Sequence, residues 1–124
     1  MLTAGRYGTR DLERAKTFYD AIAELLGAQR VLDRPEMVGY RGAEGSMFIV
    51  GKPFEGEATP SNGAQMALMA PSRDAVDAAH ARALELGGTC EGPPGPRGPA
   101  EMNFYAAYVR DPDGNKLGIF RTGD

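Results

Sequence analysis

Two stretches of this chain, about sixty residues apart, follow one pattern. In the first, Leu12, Ala15, Phe18, Tyr19, Ile22, Leu25 and Leu26 recur at the three- and four-residue spacing of one helical face. Asp11 stands where an N-cap belongs, and Gly27 where a helix ends. In the second, Ser72 is placed to cap a helix whose inner face is Val76, Ala79, Ala83 and Leu86, stopped by Gly87-Gly88. Leu26-Gly27-Ala28-Gln29 and Leu86-Gly87-Gly88-Thr89 are matched endings. Each helix follows one short strand-like run and precedes three more. The chain therefore reads as two βαβββ modules, about 1–58 and 62–124, within a single α+β domain spanning 1–124. Strands are expected near 2–8, 29–33, 36–41 and 46–51, then near 64–70, 88–92, 103–110 and 115–121. Helices are expected over 11–26 and 73–86.

The C-terminal stretch Tyr108-Val109-Arg110-Asp111-Pro112-Asp113-Gly114-Asn115-Lys116-Leu117-Gly118-Ile119-Phe120 reads as strand, tight turn, strand. Pro112 presets φ, Gly114 accepts positive φ, and Asp111 is placed to accept from the turn's own N–H groups. With Asp11-Leu12-Glu13-Arg14-Ala15-Lys16-Thr17-Phe18-Tyr19 and Leu26-Gly27 near the start, this turn resembles the vicinal oxygen chelate superfamily. That group holds glyoxalase I, bleomycin-resistance proteins and extradiol dioxygenases. The resemblance runs from about residue 2 to 121. It implies that the modules form a curled eight-stranded mixed sheet, an open cup with helices outside and ligands inside. It does not imply one reaction.

The resemblance also implies three metal-ligand positions, and here they hold Ala4, Gln65 and Gly118. Ala and Gly carry no donor atom, and a neutral amide is a weak ligand for zinc or iron. The residue count agrees: with one histidine, His80, no two-His facial triad or multi-His zinc set forms within one chain. No metal and no cofactor is therefore expected. His80 falls inside the second helix and reads as a packed or half-exposed helix residue rather than a general base.

Strand alternation places Arg6 and Gly8 on the cup face with Ala4, while Gly5, Tyr7 and Thr9 face the helices. Ala67 and Met69 share that face with Gln65, and Lys116 and Phe120 share it with Gly118. The candidate ligand-binding residues are thus Arg6, Gln65, Met69, Lys116 and Phe120, with Met47 adding apolar wall. Arg6 needs acceptors, supplied either by an anionic ligand or by a structural ion pair. Of Phe104, Tyr105 and Tyr108, alternation lets only some line the cup. The Pro/Gly-rich run 91–99 reads as a surface loop, with a lid as the functional alternative.

Three functions fit these residues. A protein binding a small polar or anionic molecule in its cup comes first. A metal-independent enzyme using Arg6, Gln65, a Tyr or Cys90 is the alternative, and no catalytic residue is assigned. An interaction module without a small ligand is the third. A net charge of −3 with scattered Lys and Arg speaks against nucleic-acid binding. No apolar run approaches a membrane span, no signal peptide opens the chain, and Cys90 stands alone, so a cytoplasmic location is expected. A homodimer is expected from the resemblance.

Overall fold

The computed structural model describes residues 1–123; Asp124, the end of the expected domain, lies outside the described residues. The first module runs β1 (Ala4–Gly8), α1 (Leu12–Leu26), β2 (Gln29–Asp33), β3 (Met37–Arg41) and β4 (Met47–Gly51). The second runs β5 (Met66–Met69), α2 (Arg73–Glu85), β6 (Thr89–Arg97), β7 (Phe104–Arg110) and β8 (Lys116–Thr122). The eight strands form two four-stranded mixed sheets, ordered β1-β4-β3-β2 and β5-β8-β7-β6. In each, the module's first strand pairs in parallel with its last, and the other pairings are antiparallel. The duplication read from the sequence is a duplication of topology. The expected cup is built from two sheets, with β1 and β5 each at an edge.

Local chemistry starts and stops the helices as expected. Asp11 accepts from the Arg14 amide, and Gly27 leaves α1 at φ 74°. Ser72 accepts from the Ala75 amide to open α2. Phe18, Tyr19 and Ile22 of α1 are buried in one cluster with Val38, Tyr40 and Val50 of the first sheet, and the Tyr19 ring stands 4.8 Å from Phe48 and 6.4 Å from Tyr40. Val76, Ala79 and Ala83 of α2 pack on Ala107, Val109, Leu117 and Ile119 of the second. All belong to one continuous core. The buried face of α2 includes the small Ala79 and Ala83, whereas that of α1 carries the rings of Phe18 and Tyr19. Phe18 is fully buried, and truncating it to Ala should cost about 3–5 kcal/mol.

One reading is corrected. The 91–99 run is not a loop: β6 continues through Glu91-Gly92-Pro93-Pro94-Gly95-Pro96 to Arg97. It pairs only with β7, and its register shifts between Cys90 and Gly92 and again between Gly92 and Gly95. Proline lacks the N–H a central strand must donate, but an edge strand with bulges tolerates it. Among the described residues no helix is long and apolar enough to cross a membrane.

Candidate functional site

Each sheet buries one face under its helix and leaves the other free of helices. In β1, Tyr7 is buried while Ala4 and Arg6 are exposed, as alternation requires. In β7 and β8, Ala107, Val109, Leu117 and Ile119 point to the core. Their neighbours Phe104, Tyr108, Lys116 and Phe120 therefore occupy the helix-free face. Tyr105 turns toward α2, where its hydroxyl donates to Asp77 at 2.6 Å.

The expected ligand residues do not converge on one spot. Arg6 is exposed, donates to the Lys52 carbonyl at 2.7 Å and reaches the Met37 sulfur at 3.6 Å. Gln65 is exposed just ahead of β5. Ala4, Gln65 and Met69 border a cleft of about 540 Å³ between the modules, floored by Ile22, Ala23, Phe48 and Leu68. Met69 and Phe120 border a neighbouring slot of about 280 Å³, whose other wall includes Glu44 and Ser46. Lys116 borders neither; its ammonium stands 5.5 Å from the Tyr108 ring centroid.

The metal positions implied by the resemblance do not suit a metal. Ala4 and Gly118 offer no donor, and the space beside Gly118 is taken. A Cβ there would lie 2.5 Å from Phe120 Cε1, so the Phe120 ring fills the volume a side chain at 118 would enter. Among the described residues no group of three or more His, Cys, Asp and Glu side chains is placed to hold a metal ion.

The helix-free face of the second sheet carries a group the sequence reading missed. Arg97 holds its guanidinium 5.7 Å from the Tyr108 ring centroid and among the described residues pairs with no carboxylate; its N–H groups donate to the Pro93 and Pro96 carbonyls. Phe104 and Phe120 meet edge to face at 4.8 Å, and Tyr108 and Phe120 at 5.8 Å. Arg97 was hidden because its segment read as a loop. Its pairing with Phe104 is what turns it to this face.

The seam between modules is held by the β7–β8 turn. Asp111 accepts from the Tyr19 hydroxyl, the Asp113 and Asn115 amides and the Asn115 side chain. Asp113 accepts from Thr9, the Arg10 amide and the Arg10 and Arg14 guanidinium groups. Burial alone would raise the Asp113 carboxyl, but these hydrogen bonds and the Arg14 charge hold it below its ordinary value. Burial beside Asp111 pushes the Tyr19 phenol well up. Tyr7 donates to the Lys116 carbonyl at 2.6 Å and completes the seam.

His80 is buried on α2, as its packed reading expected, with Nε2 3.2 Å from the exposed Cys90 sulfur. Burial lowers its pKa, and the Asp77 charge only partly opposes this. Cys90 pairs with core-facing Val109, so the contact lies on the helix side of the sheet.

A sequence model of the Glyoxalase/Bleomycin resistance protein/Dioxygenase superfamily matches residues 4–119. A crystal structure of a glyoxalase/bleomycin resistance protein from Albidiferax ferrireducens is 37% identical over 97% of each chain, with a TM-score of 0.86. A glyoxalase-related enzyme from Fulvimarina pelagi is 21% identical over 97% of this chain and 86% of its own, with a TM-score of 0.72, and shares the fold. No curated protein matches.

Proposed function

Because this chain belongs to the glyoxalase/bleomycin resistance/dioxygenase superfamily, we propose that it is a member that binds a small organic anion on its helix-free face, without the family metal. One observation carries this reading. Arg97 and Lys116 lie on the helix-free face of the second sheet and Arg6 on that of the first, and among the described residues none of the three meets a carboxylate. Their partners are backbone carbonyls, a thioether and an aromatic ring, which orient a cation without cancelling its charge. An anion supplies the missing half of each pair. Gln65 and Met69, at the inter-module cleft, and Phe120 beside them would contact the rest of the molecule.

The test is Lys116→Ala titrated with a panel of carboxylates and organic phosphates, with Arg6→Ala on the other sheet as the comparison. Losing a charge-assisted contact of ~1.5–3 kcal/mol weakens binding about ten- to a hundredfold. The melting temperature should barely move, because no acid is left unpaired. A large drop in melting temperature with unchanged affinity would remove Lys116 from the site. A panel in which nothing binds would remove the reading itself. Elemental analysis of tag-free protein giving near one transition metal per chain would restore the metal.

A metal-independent enzyme is the second reading, and the Cys90–His80 contact is what favours it. Binding leads because that pair lies on the helix side of the sheet, away from the three cations. A homodimer and a cytoplasmic location remain part of the proposal. Light scattering that finds only monomer at micromolar concentration would refute the dimer.

A further inference from the structure

We propose that the anion is a flat aromatic acid, held on the second sheet with its acidic group between Arg97 and Lys116 and its ring against Phe120 and Phe104. This deepens the anion-binding reading and rests on it. Arg97 and Lys116 stand 5.7 and 5.5 Å from the same Tyr108 ring centroid, so two uncompensated positive charges share one aromatic neighbour. A cation over a ring gains about 0.5–1 kcal/mol at an exposed site and keeps its full charge. The Arg97 guanidinium is already fixed by the Pro93 and Pro96 carbonyls, so little side-chain freedom is lost when an anion arrives.

The apolar half of the site follows directly. Phe120 lies between Tyr108 at 5.8 Å and Phe104 at 4.8 Å, both edge to face, and borders the 280 Å³ slot. Half-buried rings at these angles offer edges and faces to another ring. The slot also fixes direction. Glu44 stands on its far wall, so an acid group is repelled there, while Lys116 and Arg97, outside the slot beside Tyr108, attract it. A ring placed at Phe120 with its acid toward Tyr108 satisfies both ends. An aliphatic acid satisfies the charge but leaves the ring edges without a partner.

The experiment is a titration of isotope-labelled protein with 2-naphthoate, octanoate and 2-naphthylmethylamine, followed by amide chemical shifts. Naphthoate should bind at least tenfold more tightly than octanoate, and the amine should not bind. Shifts should centre on Gly118, Phe120, Tyr108 and Arg97. Arg97→Met and Phe120→Leu should each weaken naphthoate at least fivefold. Arg82→Met, a charge change on the outer face of α2, should leave affinity unchanged. Octanoate binding as tightly as naphthoate overturns the aromatic assignment and leaves the anion reading standing. Failure of both acids overturns both readings. Naphthoate shifts confined to Ile22, Leu26 and Leu68 move the ring to the inter-module cleft and overturn this placement. Tight binding of the amine overturns the charge argument.

Discussion

The β3–β4 and β7–β8 turns occupy the same place in the two modules and do opposite things. In the second, Asp111, Asp113 and Asn115 are all buried, and their side chains reach Thr9, Arg10, Arg14 and Tyr19 of the first module. In the first, Glu44, Gly45 and Ser46 are exposed, and the side-chain bond of the turn is local, from Ser46 to Glu44. Both turns even close alike, with a glycine amide donating three residues back, Gly45 to Gly42 and Gly114 to Asp111. Of the two matched turns, therefore, only one is wired to the other module. The wired turn holds the seam, and the unwired turn borders both cavities.

The largest test of that contrast is Asp111→Ala. It strands the Tyr19 hydroxyl, two amides and the Asn115 side chain, each a buried donor that costs about 1–3 kcal/mol when unpaired. After partial relaxation a loss of about 3–5 kcal/mol is expected in urea denaturation. A loss below about 1 kcal/mol would mean that the wiring is ornamental.

The matched glycines give the next test. Gly114 has φ 91° and Gly45 φ 97°, so alanine is strained at both by about 1 kcal/mol. An added Cβ at Gly114 would also meet Pro60 Cγ at 3.2 Å, whereas at Gly45 it meets nothing. Gly114→Ala should therefore cost more than Gly45→Ala, roughly twice as much given the strain alone at the second site. Equal melting temperatures would show that the turn around Gly114 gives way freely.

Acid separates the turns as well. The Asp113 carboxyl sits below its ordinary 3.8, so its contribution is present above that value and is lost as pH falls through the native pKa. The unfolded chain binds the proton first, and stability falls with it. The Ser46 hydroxyl lowers Glu44 too, but at an exposed site. Asp113→Asn should flatten the acid arm of a stability–pH curve below about pH 4, and Glu44→Gln should leave it in place. The smallest effect expected is Glu44→Ala at neutral pH, within about 0.5 kcal/mol of the parent by thermal melting. A larger loss would give the unwired turn a structural role.

What was readable in the sequence was what is decided locally. Asp11, Gly27 and Ser72 act on their own helix ends, and strand alternation turned Arg6 outward and Tyr7 inward as expected. The β7–β8 turn was legible as a turn but not as the seam, because the Thr9–Asp113 bond spans 104 residues and neither residue signals the other. Arg6 faced the expected way, yet nothing local showed that Lys52 would supply its acceptor. The β6 segment failed for a related reason. Proline argues against a ladder wherever it stands, and only the position of the strand at the sheet edge, a fact of the whole fold, excuses it. Arg97 was lost with that segment.

The prolines of β6 also limit what can be added to the sheet it ends. A sheet grows by adding a strand to an edge that still has N–H groups to give. β6 carries Pro93, Pro94 and Pro96 along its length and is bent by two register shifts, so its outer rim is short of donors and does not run straight. The rim of β2, Gln29–Asp33, contains no proline. Strand addition is thus disfavoured at the β6 rim, whereas the β2 rim, with one register shift of its own between Arg30 and Leu32, keeps a backbone N–H at every residue.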